Sequence, residues 1–113
     1  MTDPWVAELE RVLADLAAEG RCVTYNELAS LCRVPPPHRI HKLTLALEDL
    51  VRADHEAGRP LRAALAVSRG ADRIPGRGFF QLLGELGRYT GPDRGPEAVR
   101  HHAALLAALR DAG

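Results

Sequence analysis

Aromatic side chains are scarce in this 113-residue chain: one Trp, two Tyr and two Phe. A core must therefore come from Leu, Ala and Val, which favours helix packing. Lysine is nearly absent, and arginine carries the basic charge. With abundant Ala, Gly and Leu, that usage is associated with GC-rich bacterial genomes. Two cysteines, Cys22 and Cys32, make no disulfide framework and no CxxC pair, so a reduced, cytoplasmic setting is expected. No apolar run approaches the ~20 residues that span a bilayer, which excludes a membrane partner from the reading. Met1-Thr2-Asp3-Pro4 lacks the basic region and apolar run of a signal peptide. The length suits one domain, 1–113, able to bury a core without staples.

The net charge is zero, yet charge is blocked along the chain. Residues 1–32 hold six acids against Arg11 and Arg21, a net of −4. Residues 33–47 hold Arg33, Arg39 and Lys42 with no acid, a net of +3. Residues 48–58 hold Glu48, Asp49, Asp54 and Glu56 against Arg52, a net of −3. Residues 59–78 hold Arg59, Arg62, Arg69, Arg73 and Arg77 against Asp72, a net of +4. Basic blocks separated by an acidic one suit two elements that press on a phosphate backbone; short solvated Arg-rich loops give the same pattern.

The chain reads as helix, short helix, turn, long helix, strand, loop and two further helices. Asp3-Pro4 is a helix start, with Asp as cap and Pro at the first position. Trp5, Val6, Leu9, Val12, Leu13 and Leu16 recur at helical spacing to Gly20, a C-terminal cap. Thr24 and Glu27 predict a capping box for the next helix, with Leu28, Leu31 and Cys32 inward. After Pro35-Pro36-Pro37 a third helix is expected over about 37–57, burying Ile40, Leu43, Leu47, Leu50 and Val51 and stopped by Gly58. Leu61 to Val67 is strand-like by its boundaries, although Ala63-Ala64 weakens that reading. Arg69 to Arg77 reads as the turn of a hairpin or wing. Phe79, Leu82, Leu83, Leu86 and Tyr89 suggest a fourth helix, with Gly84 and Gly87 costing ~1 kcal/mol each. Pro96-Glu97 opens a last helix with Val99, His102, Ala103, Leu106 and Leu109 on one side.

Gly20-Arg21-Cys22-Val23-Thr24-Tyr25-Asn26-Glu27-Leu28-Ala29, running on to Val51, resembles the C-terminal winged-helix domain of the alkylguanine-DNA alkyltransferases and alkyltransferase-like proteins. Their corresponding stretch is Gly-x-Val-x-Thr-Tyr-Gly-x-Leu-Ala, followed by an Ala/Arg-rich recognition helix. The resemblance covers about a third of the chain. It implies a winged helix that meets DNA. The family's Pro-Cys-His-Arg active-site motif has no counterpart in Leu61 to Arg69, so alkyl transfer is not implied. Pro60-Leu61-Arg62-Ala63-Ala64 and Pro75-Gly76-Arg77-Gly78-Phe79-Phe80 also resemble segments of small bacterial proteins, which implies a shared fold and no activity.

Other chemistry finds little support. His38 and His41 lie three apart, and His55, His101 and His102 could join them, but no Cys or carboxylate stands at metal-ligand spacing. Cys22 lies beside Arg21, which would lower its pKa, yet buried structural cysteine is the commoner case. Gly70 to Gly78 lacks the Gly-Lys-Ser/Thr ending of a P-loop. Phe79-Phe80 could stack on a base, although at this junction they anchor the loop to the core.

The expected fold is mostly α with a small antiparallel β-hairpin: a winged helix-turn-helix of core 23–80, with extra helices at 3–19 and 96–111. The leading expected function is a non-enzymatic DNA-binding module without cofactor, metal or catalytic residues. Helix 37–57 would enter the major groove with Arg33, His38, Arg39, His41 and Lys42, and Arg69, Arg73 and Arg77 of the wing would contact backbone or minor groove. The alternative is a protein–protein adaptor or dimerisation module on the same fold. The apolar stripes of the terminal helices are expected to cover each other within the chain, with a homodimer built on what stays exposed.

Overall fold

A computed structural model describes residues 3–112. Met1, Thr2 and Gly113 lie outside the described residues, and so does part of the signal-peptide expectation. The described residues form five α-helices, a 3-10 turn and two short strands.

Helix α1 (Pro4–Glu19) begins with Pro4 at its first position. The Asp3 carboxylate makes no cap hydrogen bond, contrary to expectation; only its backbone carbonyl takes part, accepting from Val6 N at 3.0 Å. At the other end Gly20 adopts φ 65°, and Gly20 N and Arg21 N donate to the Ala17 and Leu16 carbonyls. That left-handed cap needs glycine's freedom. Strand β1 (Val23–Thr24) leads into α2 (Tyr25–Leu31), opened by the expected capping box. Glu27 N donates to Thr24 Oγ1 at 3.2 Å and Thr24 N to Glu27 Oε1 at 3.0 Å.

Helix α3 (Arg39–Ala57) starts two residues later than expected, because His38 takes a left-handed φ of 58° and cannot continue a helix. Gly58, at φ 70°, ends it. The chain then departs from the expected strand. Arg62–Leu65 is a 3-10 turn, and only Ala66–Val67 forms strand β2. Strand β2 pairs with β1 in parallel, Val23 with Ala66 and Thr24 with Val67. The antiparallel hairpin is therefore corrected. Between the two strands the chain runs through α2 and α3, and such a crossover returns it in its original direction.

The expected wing has no strands. Residues 68–76 form a loop closed by Ser68 N donating to Ile74 O at 2.8 Å. Helix α4 (Arg77–Glu85) ends sooner than its apolar pattern suggested, because Gly87, at φ 72°, turns the chain, and Arg88 N donates to Leu83 O. Helix α5 (Pro96–Ala112) completes the fold.

The 3-10 turn is the centre of the packing. Helices α1, α3 and α5 all rest on it, and α1 also touches α5. The terminal helices thus belong to the core rather than flanking a core of 23–80; they touch each other, but both rest mainly on the 3-10 turn. Leu9, Leu13, Leu28, Leu43, Leu61, Leu83, Val23, Val51 and Val67 are fully buried. Phe79 and Phe80 are buried edge to face, with centroids 5.6 Å apart, and anchor the start of α4. Three inward assignments are corrected: Leu31, Ile40 and Val99 are exposed. Leu31 and Ile40 sit at the two rims of the α2–α3 turn, where no element covers them. On α5 the buried line is Ala98, His102, Leu105 and Leu109, one residue round from the expected one.

Candidate interaction surface

The turn between α2 and α3 is held by basic side chains. Arg33 and His38 both have left-handed backbones, at φ 57° and 58°. Their geometry brings the start of α3 back against the end of α2. Arg39 Nε then donates to Val34 O at 2.8 Å, and its Nη2 to Ala29 O at 3.1 Å. Lys42 Nζ donates to Pro35 O at 3.1 Å. Carbonyls at a helix C-terminus lack intrahelical donors and carry partial negative charge, so cations there are stabilising. Two of the three charged residues of the 33–47 block thus serve the turn itself. Arg33, His38 and His41 remain exposed.

The core face of α3 is Leu43, Leu47, Leu50, Val51 and Asp54. At 3.6 residues per turn, the opposite face carries His41, Lys42, Leu45, Glu48, Asp49, Arg52 and Glu56. Leu45 lies at its middle and is 51% exposed. Glu48, Asp49 and Glu56 make the C-terminal half of this face acidic, with Arg52 loosely paired to Asp49 at 3.7 Å.

The second basic block lies elsewhere. Arg69, Arg73 and Arg77 are exposed around the 68–76 loop. The charge of Arg73 is felt at Glu27 and Cys22, which places it by the N-terminal end of α2, whereas Arg39 grips the C-terminal end. Arg77 lies 3.7 Å from Asp93, and a groove of roughly 590 Å³ separates the loop from Asp93 and Arg94. The loop is tied down by Tyr25, whose hydroxyl accepts from Gly76 N at 2.9 Å. Burial pushes the Tyr25 hydroxyl above its ordinary pKa.

Two buried polar residues tie the core together: His102, expected on the apolar side of the last helix, and Asp54, which the sequence reading did not place inward. Asp54 is fully buried; its carboxylate accepts from Arg62 N, Nε and Nη2 at 3.0–3.1 Å, with Arg59 at 3.3 Å. Arg62 reaches on to Glu10 at 3.2 Å, and these carboxylates raise its pKa. His102 is buried on α5 and bonds Ala64 O at 2.7 Å. In each case the signal was a polar residue on an apolar stripe.

Neither cysteine is activated. Burial pushes Cys32 up to about 11, and it raises Cys22 against the opposing charge of Arg73. At Cys22 desolvation outweighs any lowering by neighbouring arginine, as the commoner structural reading expected. Among the described residues no three His, Cys, Asp or Glu side chains are grouped to hold a metal ion, and no helix is long and apolar enough to cross a membrane. Comparison with family models, curated proteins and solved structures finds no match to this chain.

Proposed function

We propose that this chain is a non-enzymatic interaction module that uses a helix-turn-helix to present the outer face of α3 to a protein. The observation that carries this reading is the engagement of Arg39, at the start of α3, with the Val34 and Ala29 carbonyls. A groove-reading helix needs cations and amides aimed outward at phosphates and base edges. The outward face offered here is instead Leu45 among charges of both signs, which phosphate would repel at Glu48, Asp49 and Glu56.

Duplex DNA remains the second reading, supported by Arg69, Arg73 and Arg77 around the 68–76 loop. Without α3 as a reader, that contact would be to backbone and sequence-independent.

A photo-crosslinking amino acid at position 45, with a second variant carrying it at position 73, separates the two in cell extract. Protein adducts at position 45 and none with nucleic acid are expected. Nucleic-acid adducts at position 45, or no adduct there at all, would overturn the α3 reading. Nucleic-acid adducts at position 73 alone would favour DNA contact by the loop.

A further inference from the structure

We infer that the protein docked by α3 is a second copy of this chain, with the two α3 helices antiparallel about Leu45. The inference rests on the reading of α3 as a protein-docking face and names its partner.

The charges along α3 stand in an order that a lone helix does not favour. The first turn of α3 has no acid, and Arg39, His41 and Lys42 crowd its N-terminal half. Glu48, Asp49, Asp54 and Glu56 crowd the C-terminal half, against Arg52 and His55. A helix dipole prefers the reverse, acids at the start and cations at the end. Arg39, Lys42 and Asp54 have local partners that account for them. His41, Glu48 and Glu56 have no such partner among the described residues, and Asp49 has only the 3.7 Å approach of Arg52.

An antiparallel second helix explains the order. A two-fold interface is self-complementary, so residue i of one copy meets j of the other, and j meets i. A two-fold axis at Leu45 brings together residues whose numbers sum to about 90 and that lie on the same flank of the face. Leu45 then meets Leu45 of the second copy. On one flank of Leu45 His41 meets Glu48, and on the other Lys42 meets Asp49, each pair occurring twice. His41, Leu45 and Asp49 are exposed and Lys42 and Glu48 half-buried at the edges of the same face, all within about a turn of Leu45, or about 6 Å along the axis. Lys42 has three donors, and its bond to Pro35 O leaves two. The contact leaves the core face of α3 untouched, so each copy keeps its fold.

An exposed Leu at the centre with charges around it has the layout of a small interface: an apolar middle and a polar rim. One helix pair is below the ~1,200 Å² typical of stable complexes, so association at micromolar concentration is expected. It would also place α3 out of reach of a DNA groove.

The test uses the purified full chain in sedimentation velocity over about 5 to 500 μM, where an affinity of this class is read directly. The wild type is expected to pass from monomer to dimer. Leu45→Glu is expected to weaken the dimer at least about tenfold, by placing two carboxylates face to face. Lys42→Glu alone, or Asp49→Lys alone, sets like charges opposite each other and weakens it too. A 1:1 mixture of these two variants is expected to form a heterodimer of wild-type strength. There the new carboxylate at position 42 faces the new ammonium at position 49, and the unaltered Asp49 faces the unaltered Lys42. Circular dichroism confirms that each variant is folded. A dimer indifferent to Leu45→Glu, or a mixture no stronger than its components, would overturn the pairing. A wild type monomeric throughout would overturn self-association; adducts with a different protein at position 45 would then leave the docking reading standing.

Discussion

Asp54 and Arg62 meet as a buried bidentate pair. Oδ2 takes the Arg62 backbone N–H and Nε, both at 3.1 Å, and Oδ1 takes Nη2 at 3.0 Å. The pair joins the last turn of α3 to the 3-10 turn, and Arg62 Nη1 extends it to Glu10 on α1. Three elements are thereby registered by one guanidinium. Asp54 is fully buried and Arg62 is 24% exposed, so the pair is screened far less than a surface one.

Removing the cation should therefore harm more than removing the anion. Arg62→Ala leaves a buried carboxylate with only the backbone N–H of position 62 and Arg59 at 3.3 Å to compensate it. Breaking a buried pair typically costs 3–5 kcal/mol, and with Arg59 present a loss of about 2–4 kcal/mol is expected. Asp54→Leu continues the apolar stripe of α3 and leaves Arg62 both solvent and Glu10, so a smaller loss is expected. Urea unfolding of the two variants measures the order directly; Asp54→Leu as the worse variant would contradict this account.

Stability should fall in mild acid. The Ala64 carbonyl can only accept, so the His102 proton lies on Nε2. Burial holds the His102 pKa below its ordinary value; it outweighs the opposing bond to Ala64, and the charge of His101 lowers it further. His101, lowered by burial and by Arg88, acts in the same sense. Between the lowered folded pKa and the unfolded value of about 6.5, the unfolded chain binds more protons, so stability rises with pH. It is fully present above the unfolded value and declines as pH falls through that window. Thermal midpoints at a series of pH values, with His102→Gln flattening the decline, check it.

Arg39 should behave as a turn residue. Arg39→Ala removes two bonds to backbone carbonyls, and an expected loss of about 1–2 kcal/mol follows. Hydrogen exchange should rise at the C-terminal end of α2 and in residues 32–38. Unchanged stability and exchange would free Arg39 for another role.

Tyr25→Phe should loosen the 68–76 loop while sparing the core. Phenylalanine keeps the ring and removes the acceptor for Gly76 N, with an expected cost of about 0.5–1.5 kcal/mol. Faster proteolytic cleavage within 68–76, with little change in exchange at α1, is the expected outcome. Cleavage at the wild-type rate would show that other contacts hold the loop.

What the residues dictate locally can be read from the chain without its fold. Thr24 and Glu27 cap α2, Gly20 and Gly58 end α1 and α3, and the stripe Trp5–Leu9–Leu13–Leu16 faces inward. Each depends on groups within about one turn of one another, where spacing alone sets the geometry. The parallel pairing of β1 with β2 is different, because strand direction depends on how the whole α2–α3 crossover brings the chain back. The direction taken by Arg39 and Lys42 is different too. Their spacing allows an outward cation as readily as an inward one, and the left-handed backbones at Arg33 and His38 bring carbonyls within their reach. The buried pair of Asp54 and Arg62 arises where α3 meets the 3-10 turn, a junction that periodicity does not encode. Tertiary packing therefore decided which charges hold the fold and which, around Leu45, face outward.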